Sequence, residues 1–432
     1  RSVAIIEQQF VGGTCINYGC MPTKTMVASA RVAHLARRGR DFGVHTAPVT
    51  VDLAVVRERK RAVVEQMRSG SQHAIEAADN VDLIFGEATF LGPKRLRIAR
   101  TDGGDQEVQA TKWIFINTGA RPNIPIIPGI ETVPFLDSTS IMELDTVPDH
   151  LIVLGGGSIG LEFAQMFRCF GSEVTVLHRG SRLLSREDPE FGDAMRAMLE
   201  AEGITVMLKT SPTRLQSTKS GVAITCEAGK GENTVEGSHL LIATGRQLNS
   251  DRLNVSAAGV EIGKHGEIVV NKRLETTAPG IFALGDVTGG PAFTHISYDD
   301  FRIVRDNLLH GGSRRTDDRP VPYVIFTDPE LGRVGINETE AIRDGIPYRA
   351  VAMGMDSVAR AIVSDETTGL MKALIDPDTD QILGATVFGV HGGEIMTQIQ
   401  LAMMGQITAS RLGDMIIAHP TLAEAINNLV TQ

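Results

Sequence analysis

Cys15 and Cys20, with four residues between them, are the side chains best placed for covalent chemistry in this sequence. They lie in Gly12-Gly13-Thr14-Cys15-Ile16-Asn17-Tyr18-Gly19-Cys20-Met21-Pro22-Thr23-Lys24. Two sulfurs this near can close a small, strained ring, and strained disulfides are the readily reduced, catalytic kind. If the segment opens a helix, the first-turn N–H groups and the dipole favour a thiolate. The competing use is half of a zinc site, which needs a second Cys or His pair. Cys169 and Cys226 stand alone, with no His-x-x-x-His beside them, so redox chemistry is the better fit. A thioredoxin-type pair would have two intervening residues rather than four. The two lone cysteines read as inert buried thiols.

A second string with chemical content is Leu151-Ile152-Val153-Leu154-Gly155-Gly156-Gly157-Ser158-Ile159-Gly160. It fits G-x-G-x-x-G at Gly155, Gly157 and Gly160, between an apolar strand and the helical run 161–170. Such glycines permit a tight turn and bring a pyrophosphate to the N-terminus of the helix. The following strand, 173–177, leads into His178 and Arg179, with Arg182 close by. An NAD site places a carboxylate about here for the ribose, whereas an NADP site has neutral or cationic groups. NADPH is therefore the expected coenzyme and NADH the alternative. The bland reading of both arginines is that they solubilise the surface.

Positioning these groups calls for alternating strands and helices, which dominate to about residue 300 and predict an α/β fold with parallel sheets. The strand Trp113–Asn117 runs into Thr118-Gly119-Ala120-Arg121-Pro122, and the strand 240–243 into Thr244-Gly245-Arg246. These similar endings suggest two related nucleotide-binding domains. Pro122, Pro125, Pro128, Pro134 and Pro148 mark a boundary, and the polar stretch Gly311–Pro320 precedes a last segment that reads as α+β. Net charge is −10 with no basic block, which argues against a nucleic-acid partner. No apolar run nears the roughly 18 residues of a membrane helix, and four cysteines are too few for a disulfide framework. The expected location is the cytoplasm.

The string from Gly12 to Lys24, Thr118–Pro122, Gly155–Gly160, Thr244–Arg246, Ala283–Val287 and His419-Pro420-Thr421 with Glu424 resemble, in order, the signature segments of the class I flavoprotein pyridine nucleotide–disulfide oxidoreductases. That family includes dihydrolipoamide dehydrogenase, glutathione reductase and mercuric reductase, and the resemblance spans essentially the whole chain. It implies FAD and a nicotinamide coenzyme, a homodimer, and two Rossmann-like FAD/NAD(P)-binding domains followed by a C-terminal α+β dimerisation domain. The expected division is 1–147 and 271–318 for the FAD domain, 148–270 for the NAD(P) domain and 319–432 for dimerisation.

The same resemblance implies roles. Glu7 would bind the FAD ribose, and Asp286 the ribityl chain. Gly13, Thr14, Thr118, Gly119 and Gly245 would also face cofactor. Cys15 would be the interchange thiol and Cys20 the thiol touching the flavin. Lys24 would lie by the flavin edge, paired with Glu162. His419, oriented by Glu424, would reach across the dimer as acid/base beside Cys15, a task suited to an imidazole near neutral pKa. No metal site is expected.

Two departures from the family pattern bear on this picture. The chain opens at Arg1 inside a strand, so roughly thirty residues carrying the FAD glycine loop are expected before Glu7 in the natural protein. The C-terminus, Asn428–Gln432, lacks the vicinal cysteines of mercuric reductases. Phe293–Val304 with Arg315–Arg319 resembles the mercuric reductase-like branch that includes reactive-chlorine-resistance flavoproteins, which implies a disulfide, a metal ion such as Cu(II) or Hg(II), or an oxidant as acceptor. The alternatives are a dihydrolipoamide dehydrogenase and, in another class, a flavin-free redox-sensing dimer.

Overall fold

In the strand Arg95–Arg100, Leu96 and Ile98 are buried while Arg95 and Arg97 face solvent, the two-residue period of a half-covered sheet. This strand belongs to a four-stranded sheet in the order Val3–Glu7, Val81–Gly92, Arg95–Arg100, Asp105–Gln109. The first pair is parallel, with Ile5 opposite Leu83; the others form an antiparallel meander. The computed structural model describes residues 2–228, 231–317 and 319–432; Arg1 and Asp318, used above, lie outside them.

The chain forms two compact units. The first comprises Arg1–Thr25, Arg57–Asn123 and Gly245–Arg319. Besides the sheet above, it pairs Ile281–Ala283 in parallel with Ile114–Ile116, over a core that includes Phe90, Ile98, Ile268 and Val287. Ala120–Pro122 pairs antiparallel with Arg246–Leu248. The two Thr-Gly strand endings thus run into one antiparallel ribbon.

The second unit comprises Met26–Val56, Ile124–Thr244 and Pro320–Gln432. Its parallel sheet runs in the order His239–Ile242, His150–Leu154, Glu173–Leu177, Thr205–Met207. Leu151, Ile152 and Val153 are wholly buried, as expected of a parallel strand covered on both faces. The helices Ser158–Phe170 and Pro189–Ala201 supply Phe163, Phe167, Phe191 and Met195 to this core. An antiparallel ribbon, Thr210–Thr218, Gly221–Ala228 and Gly231–Gly237, follows. The C-terminal part is an antiparallel sheet in the order Tyr323–Ile325, Glu330–Gly335, Ile382–Gly389, Leu370–Ile375, Arg349–Gly354, with the helix Gly392–Met404 sharing its core. The architecture is α/β with an α+β C-terminal part. Among the described residues, no helix is long and apolar enough to cross a membrane.

Candidate redox and coenzyme-binding sites

In the first unit, Cys15 lies within the short helix Gly13–Asn17, and Cys20 is the first residue of the 19-residue helix Cys20–Arg38. The turn into the short helix uses Gly12 and Gly13 at φ 102° and 62°, conformations that favour glycine. Asn17 braces it: its Nδ2 donates to Val11 O at 3.0 Å and Gly13 O at 2.9 Å, and its Oδ1 accepts from Arg68 Nε at 2.7 Å.

Cys15 and Cys20 are unbridged, and a hydrogen bond between their sulfurs is the largest influence on both thiols. That bond lowers Cys20 to about 5, against the cost of burial and with help from Thr294 and Lys24. It raises Cys15, as does burial. The pair therefore holds one proton on Cys15 and one negative charge on Cys20, at a helix N-terminus whose dipole favours an anion. Thr294, at the start of the helix Thr294–Leu309, places its hydroxyl 3.5 Å from Cys20 Sγ. Sequence reasoning missed Thr294, Asn17 and Arg68. Asn17 lay within the quoted cysteine string and Thr294 in the branch signature, but nothing local linked either to the sulfurs.

Asp286 follows the strand Ile281–Ala283; burial raises its carboxyl and the charge of Arg246, 3.9 Å away, opposes this. Arg246 donates through Nη2 to Ala120 O, while its buried Nε, 3.9 Å from the Asp286 carboxylate, makes no hydrogen bond. Cβ atoms added to Gly13, Gly119 or Gly245, all at positive φ, would meet no protein atom within 4 Å. Thr118 Oγ1 donates to Asn249 O at 2.8 Å, while Glu7 Oε1 accepts from Gln9 N–H at 2.9 Å and Thr14 O from Tyr18 N–H at 2.8 Å. Open glycine faces, a buried guanidinium nitrogen that makes no hydrogen bond and a carboxyl raised by burial fit a large polar cofactor such as FAD.

The second unit gives each motif glycine its own physical reason. A Cβ on Gly155 would lie 2.3 Å from Ala243 O, and one on Gly160 2.1 Å from Gly155 O. These two serve the tight turn and the close helix–strand packing. Gly157, at the N-cap of Ser158–Phe170, has an ordinary φ of −91° and nothing within 4 Å of a Cβ. Its missing side chain leaves room for a ligand, as in a dinucleotide site. His178 Nδ1 accepts from Gly156 N–H at 3.2 Å, Arg179 is exposed and Arg182 is partly buried. Glu162 is buried, and its Oε1 accepts from Phe326 N–H at 2.9 Å. His419 Nδ1 lies 2.9 and 3.0 Å from the Glu424 carboxylate oxygens, and the ring is 66% exposed. Three carboxylates, of Asp188, Glu190 and Glu338, cluster within 4.8 Å, and the Lys372 ammonium is paired with all of them.

The profile of the pyridine nucleotide-disulphide oxidoreductase family matches residues 1–300, and that of its dimerisation domain residues 321–430. The chain belongs to this family. It is 40% identical over 431 residues to the probable pyridine nucleotide-disulfide oxidoreductase RclA of Escherichia coli, covering 99% of this chain and 92% of that protein. Identity to the mercuric reductase of Staphylococcus aureus is 35% over 424 residues, covering 98% and 76%. A solved Cu(II) complex of the HOCl-induced flavoprotein disulfide reductase RclA from E. coli superposes with a TM-score of 0.89 at 39% identity, covering 100% of this chain and 94% of that one. The protein is therefore an oxidoreductase of the flavoprotein disulfide reductase type, with a C-terminal dimerisation domain. The family implies FAD and a pyridine nucleotide, and the relatives match the branch expected from the sequence.

Proposed function

We propose that this oxidoreductase carries electrons from NADPH through FAD to the Cys15–Cys20 disulfide, and from the reduced pair to a disulfide, a metal ion such as Cu(II) or Hg(II), or an oxidant. When bound, FAD accepts a hydride equivalent from the coenzyme and passes an electron pair to the disulfide. The observation that carries the proposal is the unequal thiol pair, with the charge on Cys20 at a helix start and the proton on Cys15. Cys15 attacks only after losing that proton, so a base is required. His419, with Nδ1 held by Glu424, supplies Nε2 for this task from the second protomer of a homodimer. A disulfide acceptor leaves as two thiols, two Cu(II) leave as Cu(I), and in each case Cys15 and Cys20 close their bond.

NADPH is preferred because His178 stands where a carboxylate would repel a 2′-phosphate, and Arg179 and Arg182 beside it can bind one. Gly155, Gly157 and Gly160 carry the coenzyme pyrophosphate. Gly13, Thr14, Thr118, Gly119, Gly245, Asp286 and Glu7 line the flavin site, and Lys24 and Glu162 serve its reactive edge. The domains are those of the sequence division, and the enzyme works in the cytoplasm.

The test is anaerobic titration with NADPH of the full-length yellow protein and its Cys20→Ser variant, followed by turnover with disulfides, Cu(II) and Hg(II). A long-wavelength thiolate-to-flavin band is expected in wild type and absent from the variant. Colourless protein that takes up no added FAD would overturn the proposal in favour of a redox sensor.

A further inference from the structure

His178 stands where a nicotinamide site commonly offers a carboxylate to ribose, yet its ring is occupied by the protein. A Cβ on Gly156 would lie 2.9 Å from His178 Cγ, and one on Gly180 only 2.5 Å from Nε2. The ring is thus lodged between two glycines. Nδ1 accepts from Gly156 N–H at 3.2 Å. Arg182 O lies 3.4 Å from that same Gly180 Cβ position, on the Nε2 side of the ring, and the Arg182 backbone favours a proton on the ring. With Nδ1 accepting, the proton of the neutral ring belongs on Nε2. The backbone of residue 178 is fixed as well: its N–H donates to Met207 O at 2.9 Å and its carbonyl accepts from Thr210 N–H at 3.0 Å.

We propose that His178 is a positioning residue that ties the Gly155–Gly160 loop to the Arg179–Arg182 turn through its two ring nitrogens, and that protonation of Nδ1 releases the loop and weakens coenzyme binding. The inference rests on the reading of that loop as the coenzyme site. A carboxylate at this position could accept from Gly156 but has no proton for the Arg182 carbonyl. Protonated imidazole would instead set an N–H against the Gly156 N–H. The surroundings keep the ring neutral. Burial disfavours its charged form, and the charge of Arg179 acts the same way against the pull of the Arg182 carbonyl. The flanking charged groups are Arg179 and Arg182 on its own turn and Lys209 on the neighbouring segment, whose N–H donates to Gly180 O at 2.9 Å. All are cations, and residues 155–160 carry no charged side chain.

The experiment is calorimetric titration of the full-length flavin-loaded protein with ADP-ribose, whose pyrophosphate does not titrate near neutrality. Kd is expected to rise about fivefold between about pH 7.5 and about pH 5, the loss of one hydrogen bond. His178→Asn keeps an acceptor near the Nδ1 position and cannot titrate, so its Kd should stay flat. A wild-type Kd independent of pH, or an Asn variant that keeps the wild-type slope, overturns the clamp while leaving the coenzyme site standing. If neither ADP-ribose nor NADP+ binds at any pH, the dinucleotide reading fails and the clamp fails with it. Should the Asn variant not fold, the wild-type slope alone decides.

Discussion

Replacing Cys15 by Ala tests the thiol asymmetry directly. The hydrogen bond from Cys15 is the largest influence holding Cys20 at about 5. A thiol at that value is about 99% ionised at neutral pH, against a few per cent for an ordinary cysteine. A hydrogen bond to a charged acceptor is worth about 1.5–3 kcal/mol, and sulfur donors fall at the low end. At about 1.4 kcal/mol per unit, Cys15→Ala should raise Cys20 by about one unit, while Cys15→Ser, which keeps a donor, should shift it less. Thiolate ultraviolet absorbance of the reduced protein reads this cleanly, because burial pushes Cys169 up to about 12 and also raises Cys226. Cys15 is raised too, so a single thiolate forms on the acid side of neutrality. The sign also constrains stability. A thiol depressed in the folded state stabilises fully above its unfolded value near 8.5 and loses that contribution as pH falls towards about 5. A Cys20 midpoint above neutrality in wild type, or one unmoved in Cys15→Ala, refutes the shared-proton account.

Three further outcomes are expected. Lys372→Met leaves Asp188, Glu190 and Glu338 facing one another and should destabilise by about 3 kcal/mol, the low end for a broken buried pair, since Glu190 and Glu338 are 39% and 32% exposed. Asp188 and Glu338 are held below the ordinary carboxylate range, so denaturant midpoints of variant and wild type should converge as pH falls towards about 4, and Ca²⁺ or Mn²⁺ should restore part of the loss at neutral pH. Gly157→Ala should keep the thermal midpoint yet raise the KM for NADPH about tenfold, whereas Gly160→Ala should cost roughly 2–3 kcal/mol of stability; equal effects on both readouts would contradict the separate roles of these glycines. Glu424→Gln should slow oxidation of the reduced pair by acceptor about tenfold and leave reduction by NADPH unchanged in stopped-flow traces.

Local physics made much of this legible. The apolar strand before Gly155 and the strand Glu173–Leu177 lie where periodicity placed them, and the helix begins at Ser158, a few residues before the run expected. The strands Leu370–Ile375 and Ile382–Gly389 and the helix Gly392–Met404 agree with the α+β reading of the last segment. The last helix, Ala425–Val430, has Glu424 at its N-cap. The antiparallel ribbons at 81–109 and 210–237 fall inside the stretch expected to be a parallel alternation, although half-exposed strands such as Arg95–Arg100 alternate as antiparallel ones do. Contacts across long separations were out of reach. Thr294 meets Cys20 across 274 positions, and Lys372 meets Glu190 across 182. A motif reports the chain's local conformation, whereas these pairs depend on how distant strands and helices stack.

The proton on Cys15 also separates the acceptor classes. The reduced pair carries one proton and one negative charge, so it is not a symmetric dithiol. On the proposed mechanism, when two Cu(II) take one electron each, that proton has no product to join, and His419 need act only as a base. High pH can supply the same service. When a disulfide is reduced, one departing sulfur needs a proton as it leaves, so the imidazole must first accept and then donate. Disturbing the Glu424 contact should therefore harm the two reactions differently. With a metal acceptor, the Glu424→Gln defect should fade towards alkaline pH, where solvent base can deprotonate Cys15. With a disulfide acceptor it should persist, because alkaline solution cannot replace the donating step.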